Sequence, residues 1–372
     1  MRVLHVYSGN LYGGIEAMLR TIATCRTSSL QSDVALCFEG RLSRELEAAD
    51  VRVHRLPEAR ASRPYGVRRA RQVLTTLAAT GGFDRVICHA AWSQAIFGPA
   101  VRQTDTPLVF WAHDVLTGRP WTERWARRTL PDLAICNSHF TAATLSTLYR
   151  DVPLSVVYPP VVTASPEMTT TERLLIRAEL QTPPDAVVVI QATRSQAWKG
   201  HALLLEALAR LRDVAAWTWW LAGGVQRPAE REFVDLLRRT VRQLGIESRV
   251  RFVGERSDVR RILAAADLYC QANLRPEPFG VTFVEALAAG LPVVTTAMGG
   301  ALEIVDDSCG ILVAPGDSRA LAEALRGLIV DPTRRAQLSS GAPARARQVA
   351  DCTLQMRALH EALANMTERL AV

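Results

Sequence analysis

The chain has 372 residues, of which 48% are apolar and 22% charged, and its formal net charge is +7. This length suits two domains that each bury a core, and the composition excludes a disordered or fibrous protein. The positive charge favours acidic partners such as nucleotides or phospholipid headgroups. The basic residues are scattered and match no nucleic-acid-binding module, so we expect no nucleic acid as a partner.

The 7 cysteines are widely spaced and form neither a CxxC pair nor a His–Cys cluster. This spacing argues against a zinc site or a disulfide framework, and we expect reduced, mostly buried thiols in a cytoplasmic protein. The first residues run directly into a strand without the apolar region of a signal peptide. No run reaches the roughly 18–20 apolar residues that a membrane span needs.

Strands alternate with helices in the N-terminal part of the chain. The strand-like runs are 2–7, 33–38, 51–56, 85–89, 108–112 and 133–137. Helical periods lie between them, at 15–25, 41–49, 66–79, 92–102 and 140–149. This alternation predicts an α/β fold with a doubly wound parallel sheet, whose ligands bind at the carboxyl ends of the strands.

A Pro-, Ser- and Thr-rich stretch at 157–171 predicts an interdomain linker. A second series follows, with strand-like runs at 186–192, 218–222, 250–253, 268–271, 292–296 and 311–314. Beyond Asp317 only helical sequence remains. The chain therefore contains a second doubly wound unit.

The stretch 274–290 joins several features that suit one ligand. Glu277 lies between two prolines and is held in a stiff, extended loop. Gly280 permits a close turn, and 281–289 has the apolar spacing of a helix that carries Glu285 one turn in. A helix N-terminus attracts anions, and carboxylates accept hydrogen bonds from hydroxyls. A ligand with phosphate and sugar hydroxyls would suit this stretch.

Glu277-Pro-Phe-Gly followed by Glu285 resembles the E-x7-E signature of the retaining glycosyltransferases of the large family four. Residues 291–303 and 310–317 fit the same pattern. The resemblance implies the GT-B fold, in which two doubly wound, Rossmann-like domains face a cleft. It implies an acceptor-side domain at 1–162, joined by a C-terminal helix at about 352–372, and a donor domain at 163–351.

The resemblance also assigns roles to the residues of the signature. Glu277 would bind the donor sugar and contribute to catalysis, and Glu285 would bind the ribose of the nucleotide. Phe279, Gly280 and Val281 would complete the donor-binding stretch.

Arg194 and Lys199 follow the first strand of the second unit, at a spacing similar to the diphosphate-binding Arg and Lys of the family. Fixed cations stabilise a departing diphosphate as its charge grows, which would make both residues catalytic. Lys199 is the only lysine in the sequence. Thr193 and Trp198 depart from the family pattern, and two solvated cations at a helix start are the alternative.

Two glycines, Gly13 and Gly14, open the first helix and would approach the donor's diphosphate, although a tight turn without a ligand is the alternative. The spacing does not match a dinucleotide fold. His113, at the end of the fifth strand, lies where family members carry a histidine that reaches toward the reacting centre. His89 is a candidate on the acceptor side. A structural role is the alternative for each histidine.

These observations predict a retaining hexosyltransferase, similar to mannosyl-, glucosyl- and N-acetylglucosaminyltransferases. It would move a sugar from a UDP- or GDP-linked donor to a carbohydrate or lipid-linked acceptor in cell-surface polysaccharide or glycolipid assembly. No D-x-D triplet is present, so no metal or other cofactor is expected. A sugar-nucleotide epimerase and a non-catalytic nucleotide-sugar-binding protein are the alternatives.

Two basic amphipathic segments, 63–79 and 119–128, raise the hypothesis of contact with an anionic membrane surface, the inner face of the cell membrane. The second segment places Trp121 and Trp125 one turn apart among arginines. The alternative is that both segments pack on their own domain.

Overall fold

The computed structural model describes residues 1–25, 29–164, 168–214 and 216–370. The chain divides into two compact units. The first comprises Met1–Val161 and Ala350–Val372, and the second comprises Val162–Val349. Part of the predicted linker, 165–167, lies outside the described residues.

The first unit is built on one parallel sheet. Its strands are β1 (Arg2–Tyr7), β2 (Gln31–Leu36), β3 (Val53–Arg55), β4 (Arg85–His89), β5 (Leu108–Ala112), β6 (Leu133–Cys136) and β7 (Leu154–Val156). The 7 strands lie in the order β3-β2-β1-β4-β5-β6-β7. The helices between them are α1 (Gly14–Thr24), α2 (Arg41–Ala48), α3 (Pro64–Thr80), α4 (Ala90–Val101), α5 (Trp121–Ala126) and α6 (His139–Ala142).

The second unit repeats this architecture with 6 strands in the order β10-β9-β8-β11-β12-β13. These strands are β8 (Val187–Ala192), β9 (Trp217–Ala222), β10 (Val250–Gly254), β11 (Leu268–Gln271), β12 (Val293–Thr296) and β13 (Gly310–Val313). Its helices are α7 (Thr170–Glu179), α8 (His201–Ala209), α9 (Pro228–Gln243), α10 (Val259–Ala265), α11 (Val281–Ala288), α12 (Ala301–Ile304), α13 (Ser318–Val330) and α14 (Pro332–Ala350). The prediction of two doubly wound parallel sheets is confirmed.

The strands of both sheets are nearly continuous apolar runs because helices cover both faces of a parallel sheet. In β9, for example, Trp217, Trp219 and Trp220 are all fully buried. Such runs place the core beneath the loops that follow each strand.

Each sheet has a point where the strand order reverses, between β1 and β4 in the first unit and between β8 and β11 in the second. Ligands of doubly wound folds bind at the carboxyl ends of the strands beside such a point. Gly13 follows β1, and Arg194 and Glu277 follow β8 and β11. The predicted site residues therefore lie at the edge that this fold uses for binding.

The last helix, α15 (Cys352–Leu370), belongs to the first unit. Its buried side chains Met356, Leu359 and Leu363 join the core that contains Ile22 of α1. A disulfide connects Cys25 to Cys352 at this junction.

The disulfide corrects the expectation that every thiol is reduced. The two cysteines are 327 residues apart in sequence, and only the packing of α15 on α1 brings them together. The other cysteines are free and buried, as expected: Cys37, Cys88, Cys136, Cys270 and Cys309.

The structure favours the packing alternative for the first of the two basic segments, 63–79. The apolar side of α3 packs on its own unit, where Ala70 and Leu74 are fully buried. Arg71 turns inward and donates hydrogen bonds to the carbonyls of Ala95 and Ile96, at 3.1 and 2.6 Å. The apolar stripe of this helix is therefore used for packing within its own unit, which is the alternative to membrane contact. None of the described helices combines the length and the apolar content that a membrane span requires.

Candidate functional site

The loop that carries Glu277 is shaped by close backbone contact with two glycines after β12. The N–H of Gly300 donates a hydrogen bond of 2.8 Å to the carbonyl of Glu277. A Cβ on Gly299, whose φ is +62°, would lie 2.4 Å from that carbonyl oxygen. Only glycine fits there, and the contact fixes the position of the Glu277 backbone.

Gly280 turns the loop into α11. Its φ of +112° lies in the region that favours glycine, and a Cβ would lie 2.3 Å from the ring of Phe283. Phe279 is buried beneath the turn, whereas Val281 is half-buried at the first helical position. The N–H groups of the first helical turn are therefore presented beside Glu277.

The carboxylate of Glu277 is the centre of a hydrogen-bond network. Its Oε2 accepts hydrogen bonds from Lys199 Nζ at 2.5 Å and from the side-chain amides of Gln271 and Asn273 at 3.1 Å each. All three bonds end on one oxygen. Oε1 receives none from the described residues and is left for another donor, such as a hydroxyl.

Gln271 and Asn273 were not predicted as site residues. Gln271 ends β11, both residues are buried, and Gln271 also donates to Asn273 Oδ1 at 2.9 Å. Tyr269 donates to Gln271 Oε1 at 2.9 Å and fixes the orientation of this amide. Two polar residues on one face at the end of an apolar strand were the signal in the sequence that could have revealed them.

Lys199 lies at the end of a short 3₁₀ turn, Ala197–Lys199, that precedes α8. Besides its ion pair with Glu277, its ammonium lies 4.0 Å from the centre of the Trp198 ring. An ammonium has three donors, and Glu277 takes one of them. Trp198, a departure from the family pattern, thus holds the cation between an aromatic face and a carboxylate.

Arg194 forms an ion pair with Glu230 of α9. Burial would raise the pKa of Glu230, but the N–H of Gln226 and the charge of Arg194 together hold that pKa below its ordinary value. Among the described residues, Nε of Arg194 is buried without a hydrogen-bond partner. The structure therefore gives Arg194 a fixed anionic partner that the sequence did not reveal, and does not join it to Lys199.

Glu285 projects from the second turn of α11 and is half-buried. Burial raises the pKa of its carboxyl group to about 7, and the charge of Arg260 acts in the opposite direction. The carboxyl group forms no hydrogen bond with the described residues. It is therefore a desolvated acceptor that a ligand hydroxyl could satisfy.

In the first unit, α1 begins at Gly14 with Gly13 as its N-cap, as predicted. The first turn of this helix carries its own carboxylate, since Glu16 is buried there. A Cβ on Gly13 would lie 3.6 Å from that carboxylate. The negative charge of Glu16 opposes the binding of a diphosphate at this helix start, which the prediction did not consider.

His113 follows β5 and retains an exposed fraction of 5%. Its carbonyl accepts a hydrogen bond of 3.2 Å from the amide of Asn137. His89 has no exposed surface, and its ring nitrogens are hydrogen-bonded to those of His5 and His113. Because His89 is sealed inside the unit, the hypothesis that it contacts an acceptor is wrong.

Two doubly wound units are typical of GT-B glycosyltransferases. So are carboxylates that lie beside a helix N-terminus at the carboxyl ends of the strands. Residues 12–165 match the model described as Glycosyltransferase Family 4, and residues 172–345 match the model described as Glycosyl transferases group 1. A D-inositol 3-phosphate glycosyltransferase of Nocardioides sp. is 30% identical over 317 residues, which cover 75% of this chain and 67% of that protein. The chain belongs to this glycosyltransferase family.

Other relatives match in part or in fold. The lipopolysaccharide core biosynthesis glycosyltransferase LpsE of Rhizobium meliloti is 36% identical over 164 residues, 44% of this chain and 45% of LpsE. The chain thus matches less than half the length of this relative. The crystal structure of Anabaena HepE in complex with UDP and glucose has a TM-score of 0.87 and 27% identity, and covers 98% of this chain and 99% of HepE.

Proposed function

We propose that the protein transfers a sugar from a nucleotide-sugar donor to an acceptor hydroxyl with retention of the anomeric configuration. The observation that carries this proposal is the network in which Lys199, Gln271 and Asn273 converge on Glu277 beside the start of α11. It offers a cation for a phosphate and a fixed carboxylate for sugar hydroxyls. The UDP and glucose named for the HepE complex support a UDP-linked hexose as the donor.

Each group of the donor has a counterpart in the second unit. The free oxygen of Glu277 would accept hydrogen bonds from the sugar, and Glu285 would accept them from the ribose. The remaining donors of Lys199 and the buried Nε of Arg194 would face the diphosphate. A phosphate oxygen would satisfy the otherwise unpaired Nε.

In the reaction, the bond between the anomeric carbon and the phosphate oxygen breaks while the acceptor oxygen bonds to the same face of that carbon. The proton of the acceptor hydroxyl goes to the leaving phosphate oxygen, so no protein nucleophile is required. Lys199 stabilises the diphosphate as its charge grows. His113 would contact the donor sugar near the reacting carbon.

The experiment that tests this proposal is a transfer assay with UDP-glucose and an acceptor sugar. Release of UDP should accompany formation of a glucoside, and the proton NMR signal of the new anomeric centre should report the α configuration of the donor. A β product would contradict retention. Binding of the donor without any turnover, with each of several acceptors, would favour a non-catalytic binding protein.

We also propose that no metal takes part. Arg194, Lys199 and the start of α11 would supply the positive charge that a divalent cation supplies in other glycosyltransferases. Activity should persist in excess chelator. Loss of activity that only magnesium or manganese restores would contradict this part of the proposal.

For the acceptor, we propose a lipid-linked saccharide of cell-surface assembly, reached at the cytoplasmic face of a membrane. The name of LpsE, a lipopolysaccharide core enzyme, supports this class of acceptor. A surface around α5 provides the contact: Trp121 and Trp125 are 38% and 44% exposed, with their rings 5.6 Å apart. Arg124, Arg127 and Arg128 are exposed beside them. Aromatic rings among cations suit an anionic headgroup layer.

A further inference from the structure

Four side chains of the first unit form one continuous hydrogen-bond chain. Ser32 of β2 lies 3.3 Å from Nε2 of His5 on β1. Nδ1 of His5 lies 2.9 Å from Nε2 of His89 at the end of β4. Nδ1 of His89 in turn lies 2.9 Å from Nε2 of His113, which follows β5. We call these four residues the histidine chain.

The parallel register explains why these residues meet. His5 is level with Ile87, and His89 is two residues further along; His89 is level with Trp111, and His113 is again two residues further along. The serine obeys the same rule on the other side of His5. Since alternate residues of a strand share a face, the four side chains lie on one diagonal of one face. The diagonal ends at the carboxyl edge, where ligands bind.

The histidine chain is shielded from solvent except near its two ends. His5 and His89 have no exposed surface, whereas His113 retains 5% and Ser32 is half-buried. Trp111 stacks on His89 and His113, with ring centres 5.3 and 5.6 Å apart. Burial lowers the pKa of His5 to about 4, although Asp33 raises it, and lowers the pKa of His113 to about 3.

Neutral imidazoles make such a chain directional. A neutral ring has one nitrogen that donates and one that accepts. Because His5 and His89 each use both nitrogens, the direction of one bond sets the direction of the next. Either every bond points from Ser32 toward His113, or every bond points back. In the first arrangement Nδ1 of His113 carries the proton, and in the second it is an acceptor.

The histidine chain is not a metal site, because the ring nitrogens that would bind a metal form hydrogen bonds with the neighbouring rings. No group of three or more metal-binding side chains occurs in the part of the chain that the structure describes. A hydrogen-bonded arrangement therefore remains the role that the geometry supports.

We propose that Ser32, His5 and His89 are positioning residues that fix the tautomer of His113. Nδ1 of His113 is then offered as a hydrogen-bond partner of one defined sense to a ligand hydroxyl at the carboxyl edge. The tautomer of His113 is thereby coupled to the hydroxyl of a serine three strands away. The tautomer itself does not depend on the chemistry of transfer; only its effect on catalysis rests on the proposed function.

The test is nitrogen NMR of the protein labelled with 15N-histidine, with signals assigned from single His→Gln variants. In the unsubstituted protein at neutral pH, His5, His89 and His113 should each appear as one neutral tautomer. Ser32→Ala removes the hydroxyl at the distant end and should change the tautomer populations of His113. Ser93→Ala is the matched control, since Ser93 is a buried serine of the same unit whose hydroxyl has no partner among the described residues.

Two substitutions of His89, at the centre of the histidine chain, distinguish an effect of its hydrogen bonds from an effect of side-chain packing. His89→Phe keeps a ring against Trp111 but breaks both bonds, so His113 should populate both tautomers. His89→Gln keeps a donor and an acceptor and should restore a single tautomer. The proposal is overturned if His113 has the same 15N signals in Ser32→Ala as in Ser93→Ala, a comparison that holds even where a His89 variant does not fold.

A kinetic measurement connects the chain to the proposed function. Ser32→Ala should lower kcat by roughly two- to tenfold, the effect of one neutral hydrogen bond, while Ser93→Ala leaves it unchanged. Altered His113 signals with unchanged kcat would support the proposal that the histidine chain fixes the tautomer, and would contradict the role of His113 beside the donor sugar. The two measurements therefore distinguish failure of this proposal from failure of the proposed function.

Discussion

The two units have the same sheet architecture but use opposite chemistry at the edges where ligands bind. The edge of the second unit contains paired charges, with Lys199 on Glu277 and Arg194 on Glu230. At the corresponding edge of the first unit, the buried, neutral imidazoles of His5 and His89 form a hydrogen-bonded row that leads to His113. One fold thus supports two ion pairs at the edge of one unit and a row of hydrogen-bonded imidazoles at the edge of the other.

The difference follows from what each edge would bind in the proposed reaction. A diphosphate needs cations, and each of the two cations is paired with a carboxylate, of which Glu277 would also accept hydrogen bonds from the donor sugar. A neutral ring such as His113 needs a fixed tautomer, because the tautomer decides whether its Nδ1 donates to a ligand hydroxyl or accepts from it. We therefore expect substitutions that change a charge to lower activity most when they lie in the second unit. For the first unit, we expect activity to depend on the pattern of its hydrogen bonds.

The largest effect is expected from Lys199→Ala. Removing a cation that faces a developing charge should lower kcat by roughly two to three orders of magnitude, or about 3–4 kcal/mol. Steady-state release of UDP measures this change in kcat. Arg210→Ala, which removes an exposed cation of the same unit, is the control and should have little effect. A kcat within a few-fold of wild type in Lys199→Ala would show that Lys199 does not stabilise the leaving group.

The next effect concerns the membrane surface around α5, where exposed cations of the first unit lie. Replacement of Arg124, Arg127 and Arg128 by Glu should abolish co-sedimentation with vesicles of anionic lipid, because each cation contributes about 1 kcal/mol near such a surface. Binding of the unsubstituted protein should also weaken with salt.

The matched control for this experiment replaces Arg63, Arg68 and Arg69 by Glu. Arg68 and Arg69 are exposed residues of α3 and Arg63 is its N-cap; because the apolar stripe of this helix is buried, this variant should retain much more binding. Equal losses in both variants would indicate attraction by total charge alone. Absence of binding at low salt would favour a soluble acceptor.

The third prediction separates the two glutamates of the signature. Glu285→Ala should weaken binding of free UDP and of UDP-glucose by roughly 10- to 100-fold, because hydrogen bonds to a charged group contribute about 1.5–3 kcal/mol. Glu277→Ala should spare free UDP and weaken only the sugar-bearing donor. Calorimetry with both ligands measures these affinities, and equal losses of UDP affinity in the two variants would refute the assignment.

The sequence predicted the sheets well because buried parallel strands are uninterrupted apolar runs. The bounds of Arg2–Tyr7, Arg85–His89, Leu108–Ala112 and Leu268–Gln271 agree with the structure. The strand Leu154–Val156 was missed, although the equally short edge strand Val53–Arg55 lies within a predicted run. Leu154–Val156 lies between Pro153 and the Pro-rich stretch that was interpreted as a linker.

Contacts between distant segments could not be predicted in the same way. The bond between Cys25 and Cys352 depends on how α15 packs. Glu230, the partner of Arg194, lies on a helix that contributes no motif. The histidine chain depends on the register of four neighbouring strands, which no pattern within one strand specifies. Residue types at the strand ends were readable from sequence, but their partners required the fold.

The smallest expected effect is a change in thermal stability that follows from the raised pKa of Glu285. Burial raises this pKa from 4.5 to about 7, so the folded protein holds a proton that the unfolded chain releases between these pH values. Ionised Glu285 therefore destabilises the fold, and this penalty grows as the pH rises from about 4.5 to 7 and is complete above it. Glu285→Gln removes the penalty. Without a ligand, its Tm should exceed that of the unsubstituted protein by a few degrees at pH 8 and match it near pH 4.5. Glu303→Gln, on the half-exposed first turn of the neighbouring α12, should show no such pH-dependent gain. A Tm difference that is independent of pH would mean that Glu285 is not held as a desolvated acid, and would weaken its assignment as a ribose-binding group.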